Sequence, residues 1–127
     1  MRAKILVIDD NPTNLKLVSE LLEFEGHTIL KAEDAEEAQV VLADTLPELI
    51  LMDIALPGMD GLTLARKLKA DERTRHIRIV ALTAFAMKGD DQKAFDAGCD
   101  GYITKPIDTR KLPKQVAEWL VKESPTP

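Results

Sequence analysis

The sequence has little of what several classes of protein require. It contains one cysteine, Cys99, so it can form neither an intramolecular disulfide nor a thiolate metal cluster. Aromatic residues make up only 4 % of the chain, and a hydrophobic core must therefore be aliphatic. No apolar run approaches the ~18 residues of a membrane-spanning helix, and the first apolar run is too short for a signal peptide. These absences favour a cytoplasmic protein that does not insert into a membrane.

The charge balance also excludes a class of partner. There are 22 acidic and 17 basic residues, which give a formal net charge of −5 at pH 7. A surface that binds nucleic acid normally carries a patch or stripe of lysine and arginine. We therefore do not expect a nucleic-acid partner.

Length and hydrophobic content are those of one domain. The chain has 127 residues, 45 % of them hydrophobic, which is enough for a single core. We expect residues 1–127 to form one domain with its core at about 4–121. Residues 123–127 are rich in proline and are expected to be a tail or the start of a linker.

Short aliphatic runs alternate with longer amphipathic segments along the whole chain. Each short run fits a strand that is buried on both faces, and each longer segment fits a helix with one apolar side. This alternation predicts a doubly wound α/β sandwich, in which a parallel sheet is joined by right-handed crossovers. In the last helix Pro113 follows the capping candidate Asp108, so we expect that helix to be bent or to start late. The five predicted strands span 4–8, 28–32, 49–52, 77–82 and 101–104. The fourth helix is predicted over about 88–97, and Asp34 is the predicted N-cap of the second helix.

Polar side chains follow the predicted strands at their carboxyl ends, where open parallel sheets bind ligands. Asp9 and Asp10 follow the first strand, and Asp53 follows the third. Thr83 follows the fourth strand, and Lys105 follows the fifth. The topology should therefore bring three carboxylates, one hydroxyl and one ammonium group to the same edge of the sheet.

Three neighbouring carboxylates repel one another, which raises pKa values unless a cation lies among them. Mg²⁺ suits such a site because it binds one or two carboxylates and leaves positions for phosphate oxygens. Zinc and copper fit poorly, because no cysteine or histidine lies nearby. Lys105 adds a compact positive charge for a phosphoryl oxygen. The pattern indicates phosphoryl transfer to an aspartate, which would become an acyl phosphate.

These motifs, in this order and spacing, resemble the receiver domain of two-component response regulators over residues 4–121. The resemblance implies a flavodoxin-like (βα)5 fold with the strand order 2-1-3-4-5, and it implies a phosphorelay receiver, not an enzyme that turns over an external substrate. The matching stretches are ILVIDDNP at 5–12, LILMDIALPGMDG at 49–61, IVALTA at 79–84 and AGCDGYITKP at 97–106.

The resemblance also implies a phosphoacceptor and a metal site. Asp53 would take a phosphoryl group from a phosphohistidine on a sensor histidine kinase or a histidine phosphotransfer protein. Asp10 would bind Mg²⁺ directly and Asp9 mainly through water, while Asp53 and the backbone carbonyl of Ala55 would complete the protein ligands. Mn²⁺ could substitute for Mg²⁺.

The resemblance further implies a switch. Thr83 and Lys105 would contact the phosphoryl oxygens, and Tyr102 would turn inward as Thr83 moves towards them. This change would reshape the face made by the fourth helix, fifth strand and fifth helix, which would bind a downstream protein. The Lys105–Pro106 peptide bond is expected to be cis.

Two positions depart from the commonest family pattern. Ala55 and Phe85 lie two residues after Asp53 and Thr83, where polar side chains often occur in the family. Such positions tune the lifetime of the acyl phosphate, and an apolar pair here is hypothesised to restrict the attacking water.

Two alternatives remain at this point. A haloacid-dehalogenase-like phosphatase also uses an aspartate and Mg²⁺. Its two aspartates are separated by one intervening residue, whereas Asp9 and Asp10 are adjacent. That fold also needs a substrate cap, for which a chain of this length has no room. The other alternative keeps the domain and changes its context: it could be the receiver of a hybrid histidine kinase or of a longer response regulator.

Overall fold

The structure, a computed structural model, describes residues 2–83 and 90–121. The expectations for Ala84, Phe85, the start of the fourth helix at 88 and the 123–127 tail lie outside these ranges. The strands are β1 (Lys4–Ile8), β2 (Thr28–Ala32), β3 (Leu49–Asp53), β4 (Arg78–Thr83) and β5 (Gly101–Thr104). The helices are α1 (Pro12–Phe24), α2 (Ala35–Asp44), α3 (Gly61–Ala70), α4 (Asp90–Asp96) and α5 (Leu112–Val121).

The five strands form one parallel sheet in the order β2-β1-β3-β4-β5, which confirms the predicted topology. The central strand, β3, is buried at every residue, as its continuous aliphatic sequence predicts. The chain reverses its direction of winding between β1 and β3. That switch point opens a crevice at the carboxyl edge of these two neighbouring strands.

Helices cover both faces of the sheet. Buried side chains of α1 and α5 pack on one face, and those of α2, α3 and α4 pack on the other. In the described ranges, the buried hydrophobic residues include no aromatic side chain, in agreement with the prediction of an aliphatic core. The sheet is therefore held from both sides by well-packed aliphatic layers, and only its edges remain available for a site.

Three of the helices that begin at the carboxyl edge of the sheet, α1, α2 and α3, have a side-chain cap. Asn11 Oδ1 accepts from the backbone N–H groups of Thr13 and Asn14 at the start of α1. The predicted cap Asp34 accepts from Glu37 N at 2.7 Å in α2. Asp60 Oδ1 accepts from Thr63 N at 2.8 Å at the start of α3. These caps satisfy helix donors that lack backbone partners and fix the loops around the crevice.

Several predicted boundaries shift by a residue or more. β3 and β4 each end one residue later than predicted, because Asp53 pairs with Leu82 in register and Ile54 N donates to Leu82 O. Asp53 and Thr83 therefore lie in the last positions of their strands. β4 also begins at Arg78, one residue later than predicted.

The two last helices also have boundaries set by local hydrogen bonds. α4 ends at Asp96, before the predicted position 97, as the Cys99 N–H donates to Ala94 O and Gly98 adopts a φ of 99°. α5 begins at Leu112, just before Pro113, which confirms the late start. Asp108 caps the turn that precedes it.

Within the described ranges, no helix has both the length and the apolar character needed to cross a lipid bilayer.

Close packing at the start of β5 gives a stability prediction. A Cβ at Gly101 would overlap the indole ring of Trp119 in α5. We expect Gly101→Ala to lower the free energy of unfolding by about 1–3 kcal/mol, measured by urea denaturation. The double variant Gly101→Ala/Trp119→Leu should lose less free energy of unfolding than the sum of the two single losses, because the smaller leucine leaves room for the added Cβ. Strict additivity would contradict the overlap.

Candidate functional site

Three carboxylates meet at the carboxyl edge of neighbouring strands β1 and β3. Asp9 and Asp10 follow β1, and Asp53 ends β3. Each contributes one oxygen to a group whose members all lie within 4.8 Å of one another. Asp9 is only 1 % exposed and Asp53 only 6 %, whereas Asp10 is exposed. The cluster therefore combines two sheltered charges with one that faces solvent.

One ammonium group forms ion pairs with both buried carboxylates and offsets part of their charge. Lys105 Nζ lies 2.9 Å from Asp53 Oδ2 and 3.2 Å from Asp9 Oδ2. Lys105 follows β5, and its backbone N–H donates to Thr83 O at 2.7 Å, which ties the loop to the end of β4. The Lys105–Pro106 bond is cis, as expected.

The other oxygen of each buried carboxylate is held by a backbone N–H group two residues later. Asp9 Oδ1 accepts from Asn11 N at 2.9 Å, and Asp53 Oδ1 accepts from Ala55 N at 3.0 Å. These bonds and the lysine contacts engage both oxygens of each group, so both carboxylates have defined orientations. The hydrogen bond from Ala55 N also places the Ala55 peptide beside Asp53.

Burial and charge act in opposite directions on the pKa values of this cluster. Burial raises the pKa of Asp9, against the hydrogen bond from Asn11 and the nearby Lys105 charge; the Asp53 charge adds a smaller upward effect. Burial alone would lower the pKa of Lys105, but its hydrogen bonds and attraction to Asp53 and Asp9 raise it. Lys105 is therefore a cation at neutral pH.

The two residues predicted to switch lie on one face of the sheet. Thr83 is buried at the end of β4. Ala81, two residues before Thr83 in the same strand, pairs in register with Tyr102 in β5. Because side chains alternate along a strand, Thr83, Ala81 and Tyr102 share the face that α4 covers. Tyr102 is 40 % exposed and contacts the ring of Phe95. The structure thus brings Thr83 to the site edge and leaves Tyr102 on the surface beside it.

Sequence reasoning missed the positioning roles of Asn11 and Gly61. Asn11 both caps α1 and donates to Asp9, for which the only sequence signal was an Asn-Pro pair after the strand. A Cβ at Gly61 would lie 2.5 Å from Asp53 O and 2.9 Å from Ile54 Cα. Only glycine lets the start of α3 approach the backbone of Asp53 this closely.

The two histidines and the cysteine lie away from the carboxylate cluster. His27 is buried and its Nδ1 accepts from Ala3 N at 3.1 Å, while burial lowers its pKa. Burial raises the pKa of the Cys99 thiol to about 11, so it is not a thiolate at neutral pH. His76 is exposed just before β4. His27 and His76 precede their strands and thus lie at the edge opposite the carboxylate cluster.

Comparison with known proteins identifies the family. Residues 5–117 match the family model of the response regulator receiver domain. The chain belongs to this family.

Individual relatives agree with this assignment. The polar-differentiation response regulators DivK of Brucella ovis and Brucella anthropi are each 38 % identical over 94 % of this chain and 98 % of theirs. A solved response regulator of Chloroflexus aurantiacus has a TM-score of 0.90 and 28 % identity, covering 96 % of this chain and all of that one. The receiver domain of a sensor histidine kinase of Pseudomonas aeruginosa, solved with magnesium in its active-site cleft, has a TM-score of 0.86 and 30 % identity, with the same coverage.

Family membership establishes the general function. The protein is a receiver domain of two-component signalling, a class that interacts with histidine kinases or phosphotransfer proteins. Receiver domains typically bind Mg²⁺ in an acidic pocket and carry a phosphoaspartate, and they are not classical enzymes. A haloacid-dehalogenase-like phosphatase is not favoured.

The charge pairing at the site gives a second stability prediction. Lys105→Met leaves the buried carboxylates of Asp9 and Asp53 facing each other without their cation. We expect the free energy of unfolding to fall by about 3 kcal/mol, measured by urea denaturation at neutral pH with EDTA. In an Asp9→Asn background, Lys105→Met should lower the free energy of unfolding by clearly less, because only one buried carboxylate then loses its cation. An equal cost in both backgrounds would contradict charge pairing as the cause.

Proposed function

We propose that Asp53 is the phosphoacceptor of this receiver domain. The observation that carries the proposal is its position: Asp53 is 6 % exposed, its Oδ2 lies 2.9 Å from Lys105 Nζ, and it belongs to the carboxylate group at the switch point. One Asp53 oxygen would form the new P–O bond as the P–N bond of a partner's phosphohistidine breaks. The departing imidazole would keep the electron pair.

The site suits Mg²⁺, with Mn²⁺ as a substitute. Its donors are carboxylate oxygens, and the described histidines and cysteine lie elsewhere, so hard divalent cations fit best. Asp10 would bind the ion directly, Asp9 mainly through water, and Asp53 and the Ala55 carbonyl would complete the protein ligands. When bound, the ion would neutralise the negative charge that develops on the transferred group.

Two further residues would act on the phosphoryl group. Lys105 is a cation held at the acceptor oxygen, and it would turn from Asp53 Oδ2 to a phosphoryl oxygen once the new bond has formed. Thr83 ends the adjacent strand, and its hydroxyl would donate to another phosphoryl oxygen. Asn11 and Ala55 would keep both carboxylates in place through their backbone N–H groups.

Phosphorylation would then operate the switch. It adds about −1.5 to −2 of charge, which would draw Thr83 towards the site. Tyr102, on the same sheet face, would move into the space that Thr83 leaves. The surface formed by α4, β5 and α5 would change shape and bind a downstream protein. The mechanism is a shift between two existing conformations.

Context and partners complete the proposal. We infer that residues 1–127 form a single cytoplasmic receiver domain, with no nucleic-acid or membrane partner and no turnover of an external substrate. The phosphoryl donor would be a sensor histidine kinase or a histidine phosphotransfer protein. The relatives include response regulators and receivers of sensor kinases, so a receiver that acts within a longer protein remains the second candidate context.

Labelling tests the phosphoacceptor. We expect incubation with acetyl phosphate and Mg²⁺ to add one phosphoryl group to the wild type, detected by intact mass. Asp53→Asn should acquire none, because it lacks the nucleophilic carboxylate, and EDTA should abolish labelling of the wild type.

The matched control is Asp44→Asn, which removes an exposed carboxylate at the far end of α2. It should be labelled like the wild type. If Asp53→Asn is labelled as readily as Asp44→Asn, the assignment of Asp53 is wrong.

Metal addition tests the role of Asp10. Mg²⁺ at about ten times its dissociation constant should stabilise the wild type by about 1.4 kcal/mol, seen as a higher Tm than in EDTA. Asp10→Asn should lose most of this gain, because it removes the direct ligand. Asp44→Asn should keep the gain. An undiminished response in Asp10→Asn would remove Asp10 from the ligand set.

A further inference from the structure

We propose that Phe95 is a positioning residue that holds Tyr102 in its outward orientation and so opposes activation. This inference rests on the proposed function, because it assumes that Tyr102 turns inward on phosphorylation. Phe95 was not among the residues singled out from the sequence. The structure assigns it a role through a side-chain contact between α4 and β5.

The contact is an edge-to-face aromatic pair. The ring centroids of Phe95 and Tyr102 lie 6.2 Å apart, with an angle of 79° between the ring planes. Phe95 is 46 % exposed and Tyr102 is 40 % exposed, so both rings lie at the surface. Aromatic pairs favour this arrangement because the positive edge of one ring faces the negative face of the other. The pair therefore stabilises the orientation in which Tyr102 points outward.

Among the described residues of β4, the neighbours of Tyr102 on its sheet face are small. Its register partner in β4 is Ala81, whose side chain is a single methyl group. Thr83, the diagonal neighbour on the same face, is also small. An inward turn would place the tyrosine ring over these two residues and carry it away from the solvent-exposed side of α4. The Phe95 contact therefore belongs to the outward orientation alone.

Phe95 cannot readily follow the tyrosine, because the C-terminal end of α4 is fixed. Ala94 and Ala97, on either side of Phe95 in the chain, are buried in the core between α4 and the sheet. The Cys99 N–H donates to Ala94 O, and Asp100 accepts from both Ile79 N and Lys69 Nζ. These contacts join the end of α4 to β4 and α3. Phe95 thus presents its ring from a fixed support.

A contact made in one of two states changes the ratio between them. Losing an aromatic pair of this kind should raise the ratio of inward to outward Tyr102 by between about twofold and about tenfold. By linkage, a ligand that prefers the inward state should bind more tightly by up to the same factor. Beryllofluoride, a phosphoryl mimic that binds non-covalently, makes this an equilibrium measurement.

The test uses the only tyrosine in the chain as its probe. Tyr102 labelled as 3-fluorotyrosine gives one ¹⁹F signal, whose solvent isotope shift between H2O and D2O reports exposure independently of nearby rings. The variants are Phe95→Leu, which keeps an apolar side chain, and Phe24→Leu, which alters a phenylalanine 89 % exposed at the end of α1. Each is titrated with beryllofluoride in the presence of Mg²⁺.

We expect the solvent isotope shift of the wild type to fall on saturation with beryllofluoride. Without ligand, Phe95→Leu should already have a smaller shift than the wild type, and its apparent Kd for beryllofluoride should be about two to ten times lower. Phe24→Leu should match the wild type. Unlabelled Phe95→Tyr, which keeps a ring at this position, should also retain the wild-type Kd.

Two results would overturn the inference, and they differ in what else they affect. If the wild-type signal changes on saturation but Phe95→Leu matches the wild type in both measurements, Phe95 does not hold Tyr102 and the proposed switch survives. If saturation leaves Tyr102 equally exposed in the wild type, the proposed switch itself fails, and the role of Phe95 fails with it.

Discussion

The ion pairs of Lys105 with Asp9 and Asp53 are the interaction on which the site depends. Two carboxylates that are almost fully buried cannot remain charged next to each other without a nearby cation. Lys105 supplies one at 2.9 and 3.2 Å, from a loop that is itself tied to Thr83 O. The same lysine thus offsets negative charge in the site and, under the proposed function, would also bind the added phosphoryl group. One ammonium group would then serve both stability and chemistry.

The sheet imposes this arrangement because polar groups have few other places to lie. Aliphatic layers cover both faces, and β3 is buried at every residue. Charged side chains at the strand ends lie outside these aliphatic layers, and at the switch point the ends of β1 and β3 bring them together. The close approach of α3 at Gly61 and the caps of three helices then fix the loops at this edge of the sheet. Packing therefore determines where the charge cluster forms.

Much of this could be predicted from the sequence, because strand ends in a parallel sheet meet at one edge. The positions of Asp9, Asp10, Asp53 and Lys105 followed from that rule alone. Strand limits were less accurate, since an aliphatic run does not show which residue makes the last pair; Asp53 extends β3 through its register with Leu82. The Asp9–Asn11 hydrogen bond escaped prediction, because it depends on side-chain geometry in a loop.

The Phe95–Tyr102 contact shows why side-chain contacts between different elements could not be predicted from the sequence. Both residues are half exposed and lie on different elements, so neither hydrophobic periodicity nor strand alternation relates them. Their contact depends on how the end of α4 is anchored to β4 and α3. Under the proposed function, the charge change at Asp53 would have to compete with such surface contacts before the face formed by α4, β5 and α5 could move. In the proposed switch, family motifs would supply the phosphorylation chemistry, whereas residues outside the motifs, such as Phe95, would set how readily the domain changes conformation.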